Sequence, residues 1–375
     1  MFHSEPNHPV IALPPAGPVD LILHSSFDDI SDTWKTLESL PCLSLHQSLS
    51  WCQSWAQTHR NPVVLVEGRL SGTCVFILPL EIKSAWYGKM ARFIGAPFSN
   101  INTGLFSEAF LHYANPALMA EISDKLCQML KGRADFIVPS MRNQNPAFQL
   151  PLLSSMDETL AQINAKARRK KFRRTEKRID AQGGYEHLIV LNPDEKHACL
   201  DLFFKQKSVR FETIKLPNIF ERDETKAFFH ALLDLPDDPH NTALELHALR
   251  LNTSGTIVAI AGVSFKNDHI ICQFSSIDET KAEDISPGEF LFHLVIETMQ
   301  KRGFALFDFG IGDQRYKRSW CPVVTEHRDV VIPVTVRGHM ASLIIRAIVR
   351  IKMMIKNNSA IYALVQRMRL KLSRP

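Results

Sequence analysis

Residues 286–320 read SPGEFLFHLVIETMQKRGFALFDFGIGDQRYKRSW, and the order of elements in this stretch decides the fold. Ser286-Pro287-Gly288 opens the helix EFLFHLVIETMQKRG, and the strand FALFDFGI follows it. That strand delivers Asp308, Gly310, Gly312, Asp313, Tyr316 and Lys317 into one short loop. Two glycines beside two acids, a tyrosine and a lysine at a strand's end are the kind of cluster found at active sites. The first turn of the helix offers unpaired N–H groups that favour phosphate, with Glu289 as a partial competitor.

Upstream lie helices over 193–210 and 223–235, the hairpin LELHALRLNTSGTIVAIAGVSF (244–265) and the strand HIICQFSSI (269–277). Three antiparallel strands, a helix and a further strand predict an α+β layered fold, with mixed, mostly antiparallel sheets flanked by helices. The first half carries a similar hairpin, PVVLVEGRL-SG-TCVFILPLEI. SGTCVFI (71–77) and SGTIVAI (254–260) agree at five of seven positions, a hint of two related halves. A strand VDLILH (19–24) and a helix with Trp51 and Trp55 on one face precede that hairpin.

The predicted organisation is a loose lead-in (1–18), an N-terminal half (19–153), a linking helix (154–184), a C-terminal half (185–337) and a basic tail (338–375). The linking segment SSMDETLAQINAKARRKKFRRTEKRIDAQGG reads as one helix, begun by a Ser155/Glu158 capping box and stopped by Gly183-Gly184. Its core, KARRKKFRRTEKR (166–178), holds nine basic residues and one acid. With only Ala161, Ala165, Phe172 and Ile179 as an apolar stripe, most of it faces solvent or a polar partner. In the tail, Ile344, Ala347, Ile348, Ile351, Met354 and Ile355 share one side and Arg346, Arg350, Lys352 and Lys356 the other. That pattern suits either docking on the protein's own body or lying on an anionic membrane surface.

The net charge of +5 conceals these two basic segments, and the rest of the chain is net acidic, so local anionic partners are expected rather than a general affinity for nucleic acid. Seven scattered cysteines, without CxxC pairs or zinc spacing, read as inert thiols and give no metal site. MFHSEPNHPVIALPPAG lacks the parts of a secretory signal and no apolar run is long enough to span a bilayer, so a cytoplasmic chain is expected. Asp308-Phe-Gly and His327-Arg-Asp stand in the wrong order for a kinase. Gly310-Ile-Gly312 fails the dinucleotide fingerprint at its third glycine, and neither a Walker A motif nor a Gly-x-Ser-x-Gly elbow occurs. His24-Ser-Ser-Phe-Asp28 with Asp308-Phe-Gly-Ile-Gly312 imitates the plant-type CoA-dependent acyltransferase pair, but His24 lies almost at the N-terminus and the chain is short for that fold.

The 286–320 stretch resembles the GNAT acyltransferases of the cellulose-biosynthesis-protein (CelD/BcsL-like) family: an SPG-led helix, a Phe-Asp-Phe strand, Gly-Asp-x-x-Tyr-Lys and a Trp. The basic helix before a Gly pair, SLSWCQSW, the strand end ILPL and the turn FIGAPFSN carry the likeness over about residues 20–335. The chain is also similar to Fem-type aminoacyltransferases, built from two GNAT-like halves. The resemblance implies a tandem GNAT-like acyl-CoA N-acyltransferase fold and transfer of an acyl group from acyl-CoA, such as acetyl-CoA, to an amine or hydroxyl. The acceptor would be a small molecule or a glycan- or lipid-linked group in exopolysaccharide, cellulose or envelope synthesis, with no metal involved.

The resemblance places the donor's pantetheine along IICQFSS, at Phe274 and Ser275, and its pyrophosphate at Ser286, Pro287 and Gly288. Tyr316 matches the place of a tyrosine that protonates the leaving thiolate, Asp308 or Asp313 could accept the nucleophile's proton, and Lys317 could neutralise phosphate or oxyanion charge. Arg169 and Arg173 of the basic helix could hold a phosphate of donor or acceptor. ISPGEF departs from the (Gln/Arg)-x-x-Gly-x-(Gly/Ala) pattern of typical GNAT enzymes, which leaves aminoacyl-tRNA as an alternative donor and a non-catalytic membrane-surface scaffold as an alternative role.

Overall fold

The computed structural model describes residues 17–358 apart from 41–42, 101–102, 141–144, 239, 279 and 281–284. In chain order the first half runs β1 (Val19–His24), α1 (Ser31–Glu38), α2 (Leu49–His59), β2 (Val63–Leu70), β3 (Thr73–Ala85), β4 (Gly88–Phe93), β5 (Leu105–Phe106), α3 (Glu108–Tyr113), α4 (Pro116–Leu130), β6 (Phe136–Ser140) and β7 (Ala147–Pro151). There follow α5 (Met156–Ala161), α6 (Ala165–Asp180), β8 (Tyr185–Ile189), α7 (Pro193–Thr213), α8 (Asp223–Leu233), β9 (Asn241–Leu251), β10 (Ile257–Lys266) and β11 (His269–Ile277). The chain continues with α9 (Pro287–Lys301), β12 (Leu306–Ile311), α10 (Arg315–Trp320), β13 (Val323–Thr325), β14 (Val330–Pro333) and α11 (Val336–Asn357).

Two sheets of the same design result. One runs β1-β2-β3-β4-β6-β14, the other β8-β9-β10-β11-β12-β7-β13. In each, four antiparallel strands end at one parallel pair, β4 with β6 and β11 with β12. In each, that pair holds for three register positions only and then parts. The repeated SGT turns join β2 to β3 and β9 to β10, at corresponding places in the two sheets.

A feature without a sequence signal is the exchange of strands between the sheets. β7, from the first half, pairs antiparallel with β12 of the second sheet, while β14, from the end of the second half, pairs with β6 of the first. The boundary expected at residue 153 therefore does not follow the sheets. Helices α2, α7 and α8 fill the space between them with one core, in which Trp51, Trp55, Leu65 and Ile77 meet Phe203, Phe228 and Phe274. Burial of these side chains in one cluster holds the two halves together.

The linking segment is two helices rather than one. Ser155 caps α5 by accepting from the Glu158 N–H (3.2 Å), and Asn164 begins α6 by accepting from Ala167 (3.1 Å). An Asx-type cap three residues past the end of α5 offers the backbone an alternative to continuing, so the chain turns there. α6 then packs on α9: Phe172 stacks on Phe290 and His293, at 4.8 and 4.0 Å between ring centres. Arg168 and Lys171 each reach Glu289 at 2.7 Å, and Arg168 also lies over the Trp320 ring and bonds Ser319. Arg168 is 8% exposed although it stands in the most basic run of the chain. The run is half clamp and half solvated face.

Two consequences can be measured. A Cβ on Gly262 would stand 2.4–2.9 Å from the Phe274 ring, which is stacked on Phe203 and cannot move aside. Gly262→Ala is therefore expected to lower stability by about 1–3 kcal/mol in a denaturant melt. His293 is held by burial down to about 4 from 6.5. Above about pH 6.5 it is neutral in folded and unfolded chains alike; as pH falls toward 4 the unfolded chain takes up the proton first, so stability declines through that window. His293→Phe should flatten the fall in stability between about pH 7 and 5 by about 2 kcal/mol, read as a smaller drop in Tm.

Candidate active site

The opening left where β11 and β12 part is the feature on which a site can be built. His269, Ile270 and Ile271 face Leu306, Phe307 and Asp308; from Cys272 onward β11 pairs only with β10, while β12 pairs with β7 from Leu306 to Ile311. The separated edge of β11 presents backbone donors and acceptors in an extended row, the geometry that receives an extended ligand chain. α9 starts beside the far end of that edge. A Cβ on Gly288 would lie 3.0 Å from the Ile277 side chain, so only a residue without one lets the helix start approach so closely.

At that helix start, Ser286 stands at the N-cap without a side-chain cap bond, Pro287 is buried, and the Gly288 and Glu289 amides belong to the first turn. The competing carboxylate is accounted for. Burial works to raise the Glu289 pKa, but its bonds to Lys171 and Arg168 outweigh this and hold it below the usual carboxylate range. The helix terminus is therefore compensated for the acid within it, and positive charge stands beside it.

The expected site residues divide. Phe274 points into the shared core against Phe203 and Phe229, so only its backbone borders the opening, whereas Ser275 is half-buried on the strand. Tyr316 packs its ring on Phe292 and Phe309 at 5.5 and 6.0 Å, and burial, with the Cys272 and Cys321 thiols and Glu289 adding to it, raises its hydroxyl above the ordinary tyrosine value. Asp308, 1% exposed, stands at the fork: one oxygen accepts from the Gly310 N–H (2.6 Å), the other from Gln149 of β7 (3.2 Å), with His269 3.6 Å away.

Three expectations change on seeing the contacts. Lys317 is buried and donates to the Gly310 and Ile311 carbonyls (3.2 and 3.0 Å), so it pins the end of β12 rather than waiting for phosphate; burial lowers its pKa. Asp313 is bound by both nitrogens of the Arg318 fork at 2.5 and 2.7 Å, on the surface. Arg169 pairs with Asp157, and with Arg173 it lines an open groove of about 380 Å³ between α5, α6 and the middle of α9, beside His293 and Glu297. The basic residues next to Ser286 are instead Arg168 and Lys171, one and two positions earlier in the chain and therefore on another flank of α6.

The first half contributes residues that sequence reading missed. His46 meets Gln273 of the parted β11 edge (3.0 Å to the amide nitrogen) and packs edge-on against Trp51 at 4.7 Å. Gly310, at φ +74°, has the Asn100 side chain where a Cβ would be, 2.6–2.9 Å away. The buried Nδ2 of Asn100 and Nε1 of Trp51 have no hydrogen-bond partner among the described residues. Buried donors of this kind are costly to leave unmet, and they lie where the first half closes on the opening. A partial signal existed in the sequence, since FIGAPFSN contains Asn100 and SLSWCQSW contains Trp51, but His46 lies outside both, and only folding brings these residues to β11 and β12. Cys272, at the split itself, is pushed by burial up to about 12, so its thiol stays protonated and is no nucleophile. Among the described residues no group of side chains has the makings of a metal site.

Residues 166–318 match the family model of the acetyltransferase (GNAT) domain. No curated protein matches the chain. Among solved structures it is similar to FemX, at 13% identity over 87% of this chain and 100% of that one, with a TM-score of 0.53. It also aligns with the C-terminal domain of a putative lysylphosphatidylglycerol synthetase from Agrobacterium fabrum (10% identity, 86% and 97% covered, TM-score 0.48). A tandem GNAT protein from the clavulanic acid biosynthesis pathway aligns at 11% identity over 84% and 97%, with a TM-score of 0.42. The match of residues 166–318 makes that segment a GNAT-type domain and the chain an acyltransferase, and the two sheets, each with its parted strand pair, share the GNAT-like fold.

Proposed function

We propose that the chain transfers an acyl group from an acyl-CoA, acetyl-CoA in the simplest case, to an amine or hydroxyl of an exopolysaccharide or envelope-glycan acceptor, as a cytoplasmic enzyme of CelD/BcsL-like type. The observation that carries the donor side is the β11 edge parted from β12, with the start of α9 at its far end. Ser275 and the backbone of Phe274 would hold the pantetheine arm. Ser286 and the Gly288 amide, with Arg168 and Lys171 close by, would hold phosphate. Bound acyl-CoA supplies a thioester already activated for transfer.

The chain's own residues then manage protons. Tyr316, raised by burial, keeps its proton at neutral pH and can donate it to a leaving sulfur. Of the two acids, Asp308 stands at the fork and is assigned the acceptor's proton, while Asp313 is committed to Arg318. Transfer is direct, because the Cys272 thiol stays protonated. On the acceptor side, Asn100 and Trp51 offer buried donors that a sugar hydroxyl or carbonyl can satisfy.

Aminoacyl-tRNA is the second reading of the donor, favoured by the solvated side of α6, where Lys166, Lys170, Arg173, Arg174, Lys177 and Arg178 are exposed. Calorimetry separates the two: acetyl-CoA binding that is insensitive to added tRNA supports the first. No binding of any acyl-CoA, with tRNA affinity falling steeply as salt rises, supports the second and removes the first.

For the chemistry, Tyr316→Phe should cut kcat by about 10²-fold or more at unchanged donor affinity, and Asp308→Asn should do likewise. Cys272→Ser should leave turnover within about twofold. An unimpaired Tyr316→Phe enzyme would sink the acid assignment. Asn100→Ala should raise the KM for acceptor with little change in donor affinity, read by initial rates at saturating donor.

A further inference from the structure

α11 carries two apolar faces, and the body of the protein uses one. Ala341, Ile345 and Val349 are buried against Met90, Phe136, Val138 and Val331, so the helix lies across β4, β6 and β14. At ~100° per residue, Val336, Met340, Leu343, Ala347, Ile351 and Met354 fall on one stripe on the opposite side. Those residues are out in solvent: Val336 is 85% exposed, Met340 and Leu343 60%, Ile351 55% and Met354 68%. Of the apolar side expected from the sequence, Ala347, Ile348, Ile351 and Met354 lie outward; the face that docks is a second one, with Ile345 and Val349 turned inward, and Arg346, Arg350 and Lys352 are exposed.

A second exposed group adjoins the start of this helix. Trp86, at the tip of the β3–β4 hairpin, is 78% exposed, and its carbonyl accepts from Arg337 (3.4 Å). Lys89 beside it is exposed as well. Asp135, a carboxylate close to this surface, accepts from the Lys89 N–H (2.8 Å) and the Thr335 hydroxyl (2.9 Å). From residue 336 to 358 the chain has no acidic residue.

We propose that this face, Trp86 together with the outer stripe of α11, is a docking surface for an anionic lipid bilayer, lying in the headgroup plane without crossing it. An apolar stripe flanked by arginines and lysines, with an exposed tryptophan at its edge, matches a negatively charged interface: the stripe enters the acyl boundary, the cations meet lipid phosphates and the indole sits between. α11 is not long and apolar enough to span a membrane, and it is held to the sheet by its other face. The inference does not depend on the acyl-transfer reading.

The test is co-sedimentation of the full chain with vesicles of about three parts phosphatidylcholine to one part phosphatidylglycerol, against phosphatidylcholine alone. Binding to the anionic vesicles is expected, weakened more than about tenfold by Leu343→Glu with Ile351→Glu and several-fold by Trp86→Ala. Both variants alter exposed positions, so an unchanged Tm shows that they remain folded. Arg346→Gln with Arg350→Gln should weaken anionic binding while leaving the apolar stripe intact. Equal binding to both vesicle types, no binding to either, or full binding by the Leu343→Glu, Ile351→Glu variant overturns the proposal. So does a wild-type dimer that these two substitutions turn into monomer, since a second copy would then own the face. A chain ending at residue 358 that has lost all binding would transfer the function to residues 359–375 and overturn it too.

Discussion

Each sheet of this protein takes in a strand from the other half, and the rest of the structure depends on that exchange. A parallel pair that parts after three positions leaves each of its two strands with an unpaired flank. Unpaired strand edges are costly in the protein interior and adhesive at the surface. β7 satisfies β12 from the first half and β14 satisfies β6 from the second, so the outer flank of each pair is closed and only the inner opening remains. The same exchange brings Gln149 of β7 to Asp308 and brings α11, which follows β14, onto the first sheet. The setting of Asp308 at the fork and the place of the tail helix both follow from that exchange.

Charge is then distributed around the opening by packing rather than by composition. The start of α9 contains an acid that by itself would oppose an anionic ligand. Arg168 and Lys171, from a different helix, neutralise it, and Arg168 is buried to do so. A buried guanidinium is tolerated because Glu289, the Ser319 oxygens and the Trp320 face meet its donors and its charge. Lys317 follows the same logic at the other side of the fork, spending its donors on the last carbonyls of β12. Both cations are structural at first sight, and both set the shape and potential of the place where a donor would lie.

Much of the second half was legible because its signals are local. Pro287 inside a helix start, alternation along β9 to β11 and the Ser-Gly turns act over a few residues, and the elements appear where they were expected. The linking helix was misread because a single Asn cap, at 164, outweighs a favourable helical composition on both sides. The basic run was misread in part because net charge says nothing about direction. Arg168 and Arg169 are neighbours in sequence, yet one is clamped under α9 and Trp320 while the other pairs with Asp157 beside an open groove.

By itself the sequence determined most of the elements, their order and the repeat that makes two halves, since propensity, capping and periodicity are properties of short windows. It also determined which residue types would gather after β12, because the strand carries them there directly. Only the tertiary structure decided which strands cross between sheets, that His46 and Asn100 of the first half close on Gln273 and Gly310 of the second, and which face of α11 is left outside. Those outcomes depend on contacts between residues more than a hundred positions apart. No local rule encodes such contacts, and they are settled by how two sheets and one shared aromatic core bury their surfaces together.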